Sequence, residues 1–260
     1  MSNTIHPTAV VAEGARLGSG NRIGPFVVIE EDVEIGNGNT LYAGAVLRAG
    51  SRLGDGNRLH EHAVVGGEPQ DLGFDPALQT FAILGNGNVL RESVTVHRAS
   101  REKMATELGD NNYLMAQAHI AHDCRLGNNV ILAPNAAIGG FVTVDDRAFI
   151  SGGVMIHQFA RVGRLAMLGG NTKLTQDALP FMITDGVPGE VRGLNLVGLK
   201  RAGFKLEELR ILKQAYKLLF RSGLSLQEII SQLRALDSPP ASHLAEFISD
   251  SRRSFHRARE

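Results

Sequence analysis

Every sixth residue over most of this chain is aliphatic, and that single periodicity excludes most folds. From Ile5 the steps of six give Val11, Leu17, Ile23, Ile29, Ile35, Leu41, Leu47, Leu53, Leu59 and Val65. A second series runs from Leu84 through Leu90 and Val96, then from Leu108 to Leu174, and only Glu102 breaks it. With 43% of the residues apolar, so long a run at one phase is not a product of chance. Six is not a helical period, and simple alternation along a strand would not single out every sixth position.

The pattern fits short straight segments separated by corners, with one aliphatic side chain per segment turned inward. Glycine often follows the aliphatic residue, as at Gly18, Gly36, Gly54, Gly109 and Gly127, and Asn or Ala often stands two places before it, as at Asn21, Asn39, Asn57 and Ala63. Both glycine and asparagine tolerate the dihedrals of a tight corner. Three segments would close a triangular coil, and coils stacked through parallel hydrogen bonds about 4.8 Å apart give roughly nine coils over about 40 Å. The chain therefore reads as mainly β, a parallel β-helix of hexapeptide repeats.

Two stretches leave the pattern. From 66 to 81 the phase is lost in GGEPQDLGFDPALQTF, and from 97 to 107 the phase survives while the content does not. Both read as loops ejected from the prism, and loops carried on a rigid scaffold are where function concentrates. The prism is expected over 1–190 and a small C-terminal α-helical domain over 191–260, joined by a Gly-rich linker after Pro180. In that second part, Leu209, Leu212, Tyr216, Leu219 and Phe220 share one helical face, with Gly223 as terminator. Ser225 and Glu228 form a capping box for the next helix. Pro239-Pro240 is expected to end it, and a third helix to run from about Ser242 to Arg257. The basic residues Arg252, Arg253, Arg257 and Arg259 read as a solvated face, with docking to an acidic partner as the alternative.

Lys plus Arg equals Asp plus Glu at 27 each, so no overall field favours nucleic acid or an anionic membrane. No apolar run reaches the roughly 20 residues of a membrane span, and the N-terminal residues do not read as a signal peptide. The lone cysteine, Cys124, excludes an intramolecular disulfide and suits a reducing compartment. A cytoplasmic protein is expected.

The chemistry-bearing residues converge on the helix reading. His119 and His122 stand in QAHIAHDC at 117–124, Gly140 and Phe141 follow one coil later, and His157 and Gln158 one coil after that. His97 falls at the mouth of the second loop. Three readings of the histidines compete. Zinc would need three or four ligands at about 2.0–2.1 Å, which His97, His119 and His122 could supply. They could be structural. Or a neutral imidazole could act as general base near pH 7, where its unperturbed pKa suits proton removal.

The repeat resembles the hexapeptide-repeat family of left-handed parallel β-helices, and the handedness is implied by that resemblance alone. The succession GGEPQDL, RESVTVHR, QAHIAHDC, IHQF and GLKRAGF around two loops and a helical tail is more specific. It closely resembles the acyl-[acyl-carrier-protein]–UDP-N-acetylglucosamine O-acyltransferases of lipid A biosynthesis, over nearly the whole chain. The resemblance implies a homotrimer with sites between adjacent prisms, acyl carrier protein as the donor, a UDP-amino sugar as the acceptor, and no cofactor or metal. It implies His122 as the general base, Asp123 as its orienter and the Gly140 N–H as the oxyanion donor. Gln70, Asp71, His97 and His119 match sugar- and phosphate-side positions, and His157 and Gln158 match nucleotide-side positions. Asn195 matches a uracil contact and Arg201 a basic position near the phosphates or the carrier protein. Gly170 matches the position that limits acyl length, and a glycine there implies a longer chain.

Several positions depart from the family pattern. Gly73 replaces a lysine, Phe141 a histidine, Val197 an acid, Ala202 an arginine and Ala99 a glycine. Losing the charges at 73 and 202 removes two anchors for a diphosphate. These changes leave the base and the oxyanion donor intact and bear on the acceptor. The alternatives are a paralogue acylating a 3-amino or other nucleotide sugar, a coenzyme A-dependent hexapeptide acetyltransferase, and a non-catalytic scaffold.

Overall fold

Each aliphatic residue of the six-residue series closes one short strand. In the computed structural model, which describes residues 2–258, 26 strands run from Thr4–Ile5 to Lys173–Leu174, and the second or last residue of each is a member of the series. They are sorted by threes into rows of nine, eight and nine, the faces of a triangular left-handed parallel β-helix, and two later strands bring the last row to an eleven-stranded sheet. The pairing advances by one coil: Thr4 opposite Arg22, Val10 opposite Val28 and Arg16 opposite Glu34. The inward residues, among them Leu47, Leu59, Leu90, Leu114 and Ile120, are fully buried and form one continuous core. Burial stabilises each by roughly 1.5–3 kcal/mol relative to exposure.

The small positions two residues before the aliphatic one serve the corners. The Oδ1 of Asn21 accepts the N–H of Asn39 at 2.8 Å, Asn39 that of Asn57 at 2.7 Å, and Asn57 that of Asn88 at 2.9 Å. Asn88 and Asn112 continue the ladder to Val130. These amides are buried, where an unpaired polar group would be costly; stacking engages each Oδ1 coil by coil, while the Asn112 Nδ2 is left without a partner.

Both interruptions are ejected loops. Successive coils are 18 residues apart, but Asn57 meets Asn88 31 residues on, and Asn88 meets Asn112 24 residues on. The first loop, 68–80, therefore adds 31 − 18 = 13 residues, and the second, the seven residues 98–104, makes a net addition of 24 − 18 = 6. The second insertion is one hexad long, which is why the phase survives it. Glu102 is not a failed inward position, because Leu108 takes the place that follows Val96 in the next sheet. The loops are stitched together: the Arg98 guanidinium lies 5.2 Å from the Phe74 ring centre, and Glu102 Oε2 accepts the Gln79 N–H at 2.9 Å.

The expected linker is largely structured. Met182–Asp185 pairs antiparallel with Glu190–Leu194 and extends the eleven-stranded sheet. Four helices follow, α1 Leu196–Arg201, α2 Leu206–Arg221, α3 Leu226–Ala235 and α4 Pro239–Ser249. α2 buries Leu209, Leu212 and Ala215, and Gly223 follows it at φ 69°, the left-handed conformation glycine favours after a helix. The Ser225–Glu228 box caps α3 as expected. Pro239-Pro240 opens α4 instead of ending α3, since prolines lack the N–H that a first helical turn leaves unpaired anyway. α4 stops at Ser249, well short of Arg257. The segment beyond it turns back on the prism, with bridges Asp177–Phe255 and Val191–Ala258, and His256 Nε2 accepts the N–H groups of Thr175 and Gln176. Arg259 lies outside the described residues. Phe181, Leu199, Leu212, Leu244 and Phe247 share a second core beneath the helices.

Candidate active site

His122 stands at the corner that follows the strand His119–Ile120. Asp123 turns that corner with φ 60°, a conformation a short polar side chain tolerates. The turn folds the carboxylate back, so that Asp123 Oδ2 lies 2.7 Å from His122 Nδ1. The second loop fixes the carboxylate from its other side. Ser100 donates its N–H at 3.0 Å and its hydroxyl at 2.7 Å to the same oxygen, while Thr106 Oγ1 accepts the Asp123 N–H at 2.8 Å. Burial pushes the Asp123 carboxyl up, but the hydrogen bonds from His122 and from the Ser100 side chain and backbone outweigh it and hold it below its ordinary value. An ionised Asp123 makes Nδ1 the donor and leaves the lone pair on Nε2.

That imidazole lies over Gly140, one coil on. A first side-chain carbon at Gly140 would stand 2.7 Å from His122 Cε1 and 2.9 Å from Nε2, so only glycine leaves room for the ring. Gly139 and Phe141 donate their N–H groups to Ile156 and His122, whereas among the described residues the Gly140 N–H has no acceptor. The coil geometry leaves the equivalent N–H of Gln158 open as well; at Gly140 it lies beside an imidazole.

His97 and His119 form a second layer. Their rings meet edge to face with centres 4.7 Å apart, and Thr95 Oγ1 lies 2.7 Å from His119 Nδ1. His97 is 8% exposed, its Nδ1 has no partner, and burial followed by the His119 and His122 charges lowers its pKa to about 4. Burial likewise lowers that of His119. Cys124 is inert: its buried thiol is pushed up to about 12 and donates to Gly139 O. The three histidines do not form the tight ligand set that zinc needs. Among the described residues, the ligand atoms that lie within 4.8 Å of one another belong to His60, Glu61 and Glu92.

His157 and Gln158 occupy the same corner as His122 and Gly140 and are exposed, with Gln158 O beside His157 Nδ1 at 3.0 Å. Gln70 and Asp71 are exposed on the first loop, where Asp71 Oδ1 caps Gly73 N–H at 2.9 Å. Asn195 is buried and caps α1: its Oδ1 accepts from Gly198 N at 3.0 Å and its Nδ2 donates to Leu165 O at 3.0 Å. Its amide therefore has a structural employment beside any base contact. Arg201 is exposed in the last turn of α1. Gly170 is exposed at a different edge, after the strand Met167–Leu168 of the eleven-stranded sheet.

Thr95, Ser100 and Thr106 were not legible as site residues. Their partners lie 17 to 24 residues away; the Thr95 and Ser100 spacings are set by the six-residue insertion, and that of Thr106 falls one short of a coil. Arg101 was missed as well. Its guanidinium rests 4.9 Å from the centre of the Phe141 ring, which meets His122 edge-on at 5.3 Å and stacks on Phe159 at 4.8 Å.

Residues 177–256 match a family described as UDP N-acetylglucosamine O-acyltransferase, domain 2, and residues 105–140 match the bacterial transferase hexapeptide repeats. An acyl-[acyl-carrier-protein]–UDP-N-acetylglucosamine O-acyltransferase of Paraburkholderia phymatum is 44% identical over 260 residues, 97% of this chain and 99% of that one. One from Sinorhizobium fredii is 39% identical over 95% of this chain and 93% of its own. Among solved structures, the UDP-N-acetylglucosamine acyltransferase of Campylobacter jejuni superposes with a TM-score of 0.93 at 36% identity, covering 98% of this chain and all (100%) of that one. That of Francisella novicida gives 0.94 at 32%, over 98% and 94%.

Proposed function

The chain belongs to the acyl-[acyl-carrier-protein]–UDP-N-acetylglucosamine O-acyltransferase family, and from that premise we propose that it moves a 3-hydroxyacyl group from acyl carrier protein to the 3-position of UDP-N-acetylglucosamine. This is the first step of lipid A biosynthesis. The observation that carries the mechanism is the His122 clasp, with Nδ1 held by an ionised Asp123 and Nε2 over Gly140. His122 Nε2 takes the proton as the sugar 3-oxygen attacks the thioester carbonyl. A C–O bond forms, and the negative charge on the carbonyl oxygen is met by the Gly140 N–H. Such a preorganised donor is worth roughly 3–4 kcal/mol. The C–S bond then breaks, and the imidazolium returns its proton to the leaving sulfur.

The substrate-side roles rest on the same premise. Gln70, Asp71, His97 and His119 are assigned to the sugar and its phosphates, His157, Gln158 and Asn195 to the nucleotide side, and Arg201 to the phosphates or the carrier protein. Gly170 leaves the acyl groove open and is assigned a long chain. Because Gly170 and His122 stand at different edges of one prism, a site between neighbouring prisms brings them together, and a homotrimer supplies it. No helix among the described residues is long and apolar enough to cross a membrane; a cytoplasmic location is part of the same family reading.

The changed anchors at Gly73, Phe141, Val197 and Ala202 bear on how the acceptor is gripped, and a nucleotide sugar with a 3-amino group is the second reading. Ala99 gives no support to it. That residue is fully buried and its N–H donates to Phe81 O, so its methyl does not front an acceptor. Mass spectrometry after incubation with 3-hydroxyacyl carrier protein and UDP-N-acetylglucosamine decides, with His122→Ala alongside. An acylated nucleotide sugar that vanishes in the variant establishes reaction and base. Product only with the 3-amino sugar nucleotide would replace the acceptor, and product from acetyl coenzyme A alone would replace the donor.

A further inference from the structure

Arg101 lies at the tip of the second loop with its guanidinium on the exposed side of an aromatic pair. The Phe141 and Phe159 rings are nearly parallel, at 14°. Both residues turn their corners at positive φ, 61° and 65°, where a bulky side chain costs roughly 1–2 kcal/mol that asparagine or glycine would largely avoid. Their corner gains a flat apolar platform in return. A guanidinium resting on a ring keeps its N–H donors directed outward around its own rim. Among the described residues, Arg101 has no ion pair and no side-chain hydrogen bond; Arg22, Arg58, Arg147 and Arg164 share that, but of the arginines stacked on a ring Arg52, Arg98 and Arg161 are all paired and Arg101 is not. Its loop is nonetheless held, through Glu102 to Gln79 N, Lys103 N to Gln79 O, and Ser100 to Asp123.

The charge is thus presented and unpaired, one ring away from His122. The positions where the family pattern carries cations, 73 and 202, hold Gly73 and Ala202. Both substrates of the reaction carry phosphate. We propose that Arg101, positioned by the Phe141–Phe159 stack, is a phosphate-binding residue of this active site. It would fix either the diphosphate of the nucleotide sugar or the phosphate of the carrier protein's phosphopantetheine arm. This rests on the acyl-transfer reading above.

The test uses the full chain with Arg101→Met, which keeps the aliphatic stem over the ring, and with Arg101→Lys. Steady-state kinetics are combined with calorimetric binding of UDP-N-acetylglucosamine and of free 4′-phosphopantetheine. Thermal melting first shows that each variant is folded. Arg101→Met is expected to raise KM and Kd for one phosphate-bearing ligand by about tenfold or more, as the loss of a charged hydrogen bond does. It should change kcat little and flatten the dependence of that KM on salt, and Arg101→Lys should restore part of the affinity. A rise for the nucleotide sugar identifies the diphosphate, and a rise for acyl carrier protein and phosphopantetheine identifies the arm. Wild-type activity with unchanged KM and Kd in Arg101→Met, or a fall in kcat alone, would overturn the assignment and leave the acyl-transfer reading standing. A wild-type protein that neither binds these ligands nor acylates would take down both.

Discussion

At the corner that follows the eight-stranded sheet, Asn37, Asp55, Asn86, Asp110, Asn128 and Asp146 each accept the backbone N–H of the equivalent residue one coil earlier. At the corner that follows the nine-stranded sheet, the corresponding region carries His122, Asp123, Gly140, Phe141, Gln158 and Phe159. There the side chains bond to one another and to the loops: Asp123 to His122 and Ser100, Phe141 to His122 and Arg101. The backbone is the same left-handed turn at both, with φ near 60° at Asn129 and at Asp123. What differs is whether the side chain closes the coil's own hydrogen bonds or engages other side chains and the loops. The first corner holds the fold, and the second is held by the fold.

The largest break in that contrast is expected from His122→Ala. Turnover should fall by roughly 10²–10⁴-fold, the contribution of general base catalysis, with the melting temperature unchanged. Asn37→Ala at the other corner should leave kcat alone. Gly140→Ala comes next. Its methyl collides with the imidazole, and displacing a catalytic group by an ångström can cost about 10²-fold; rates measured beside a Gly38→Ala control separate the two corners, since a methyl there meets open space and its φ of 64° costs stability and not turnover. Asn57→Ala should act in the opposite sense. Breaking the buried ladder removes a paired amide and leaves the Asn88 N–H without its acceptor, at a cost of about 1–3 kcal/mol. The denaturant midpoint reports it while KM stays constant.

The effect with the least bearing on turnover is the dependence of stability on pH. Burial lowers the pKa of His97 to about 4 and lowers that of His119 in the same direction. The unfolded chain, with its histidines near 6.5, binds protons more readily than the folded one below that value. Stability is therefore complete above about pH 6.5, falls as the pH drops toward about 4, and levels off beneath it. Urea midpoints at pH 7.5 and 5.0 measure the slope, and His97→Gln should flatten it. An unchanged slope in the variant would mean that His97 is hydrated in solution.

The reach of sequence reasoning follows the same division. The hexads expose the prism because each inward residue repeats a purely local requirement, and Leu47 or Ile120 reads the same wherever it stands. His122 and Gly140 were legible because they are one coil apart, a spacing the period itself supplies. Thr95, Ser100 and Arg101 were not, since their partners are reached only after the second loop is seen to be an insertion of six and not a damaged repeat. Pro239 was misread for a related reason. A proline marks a boundary without saying on which side the helix lies, and the brevity of α3 is decided by the turn at Leu236–Asp237. Helix α4 ends early because Phe255 and His256 are engaged in capping the prism, a long-range demand that no local pattern announces.

The asparagine ladder passes beneath both loops without interruption, from Asn57 to Asn88 and on to Asn112. The scaffold is consequently blind to what is threaded between two of its coils, and the junctions at Gly67 and His97 behave as sockets. In a nearest-neighbour architecture of this kind an inserted segment perturbs only the coils it touches. On the substrate-side roles proposed above for Gln70, Asp71 and Arg101, exchange of these two segments would alter the grip on substrate while the remaining turns need no retuning, a route to new acceptors at little risk to folding.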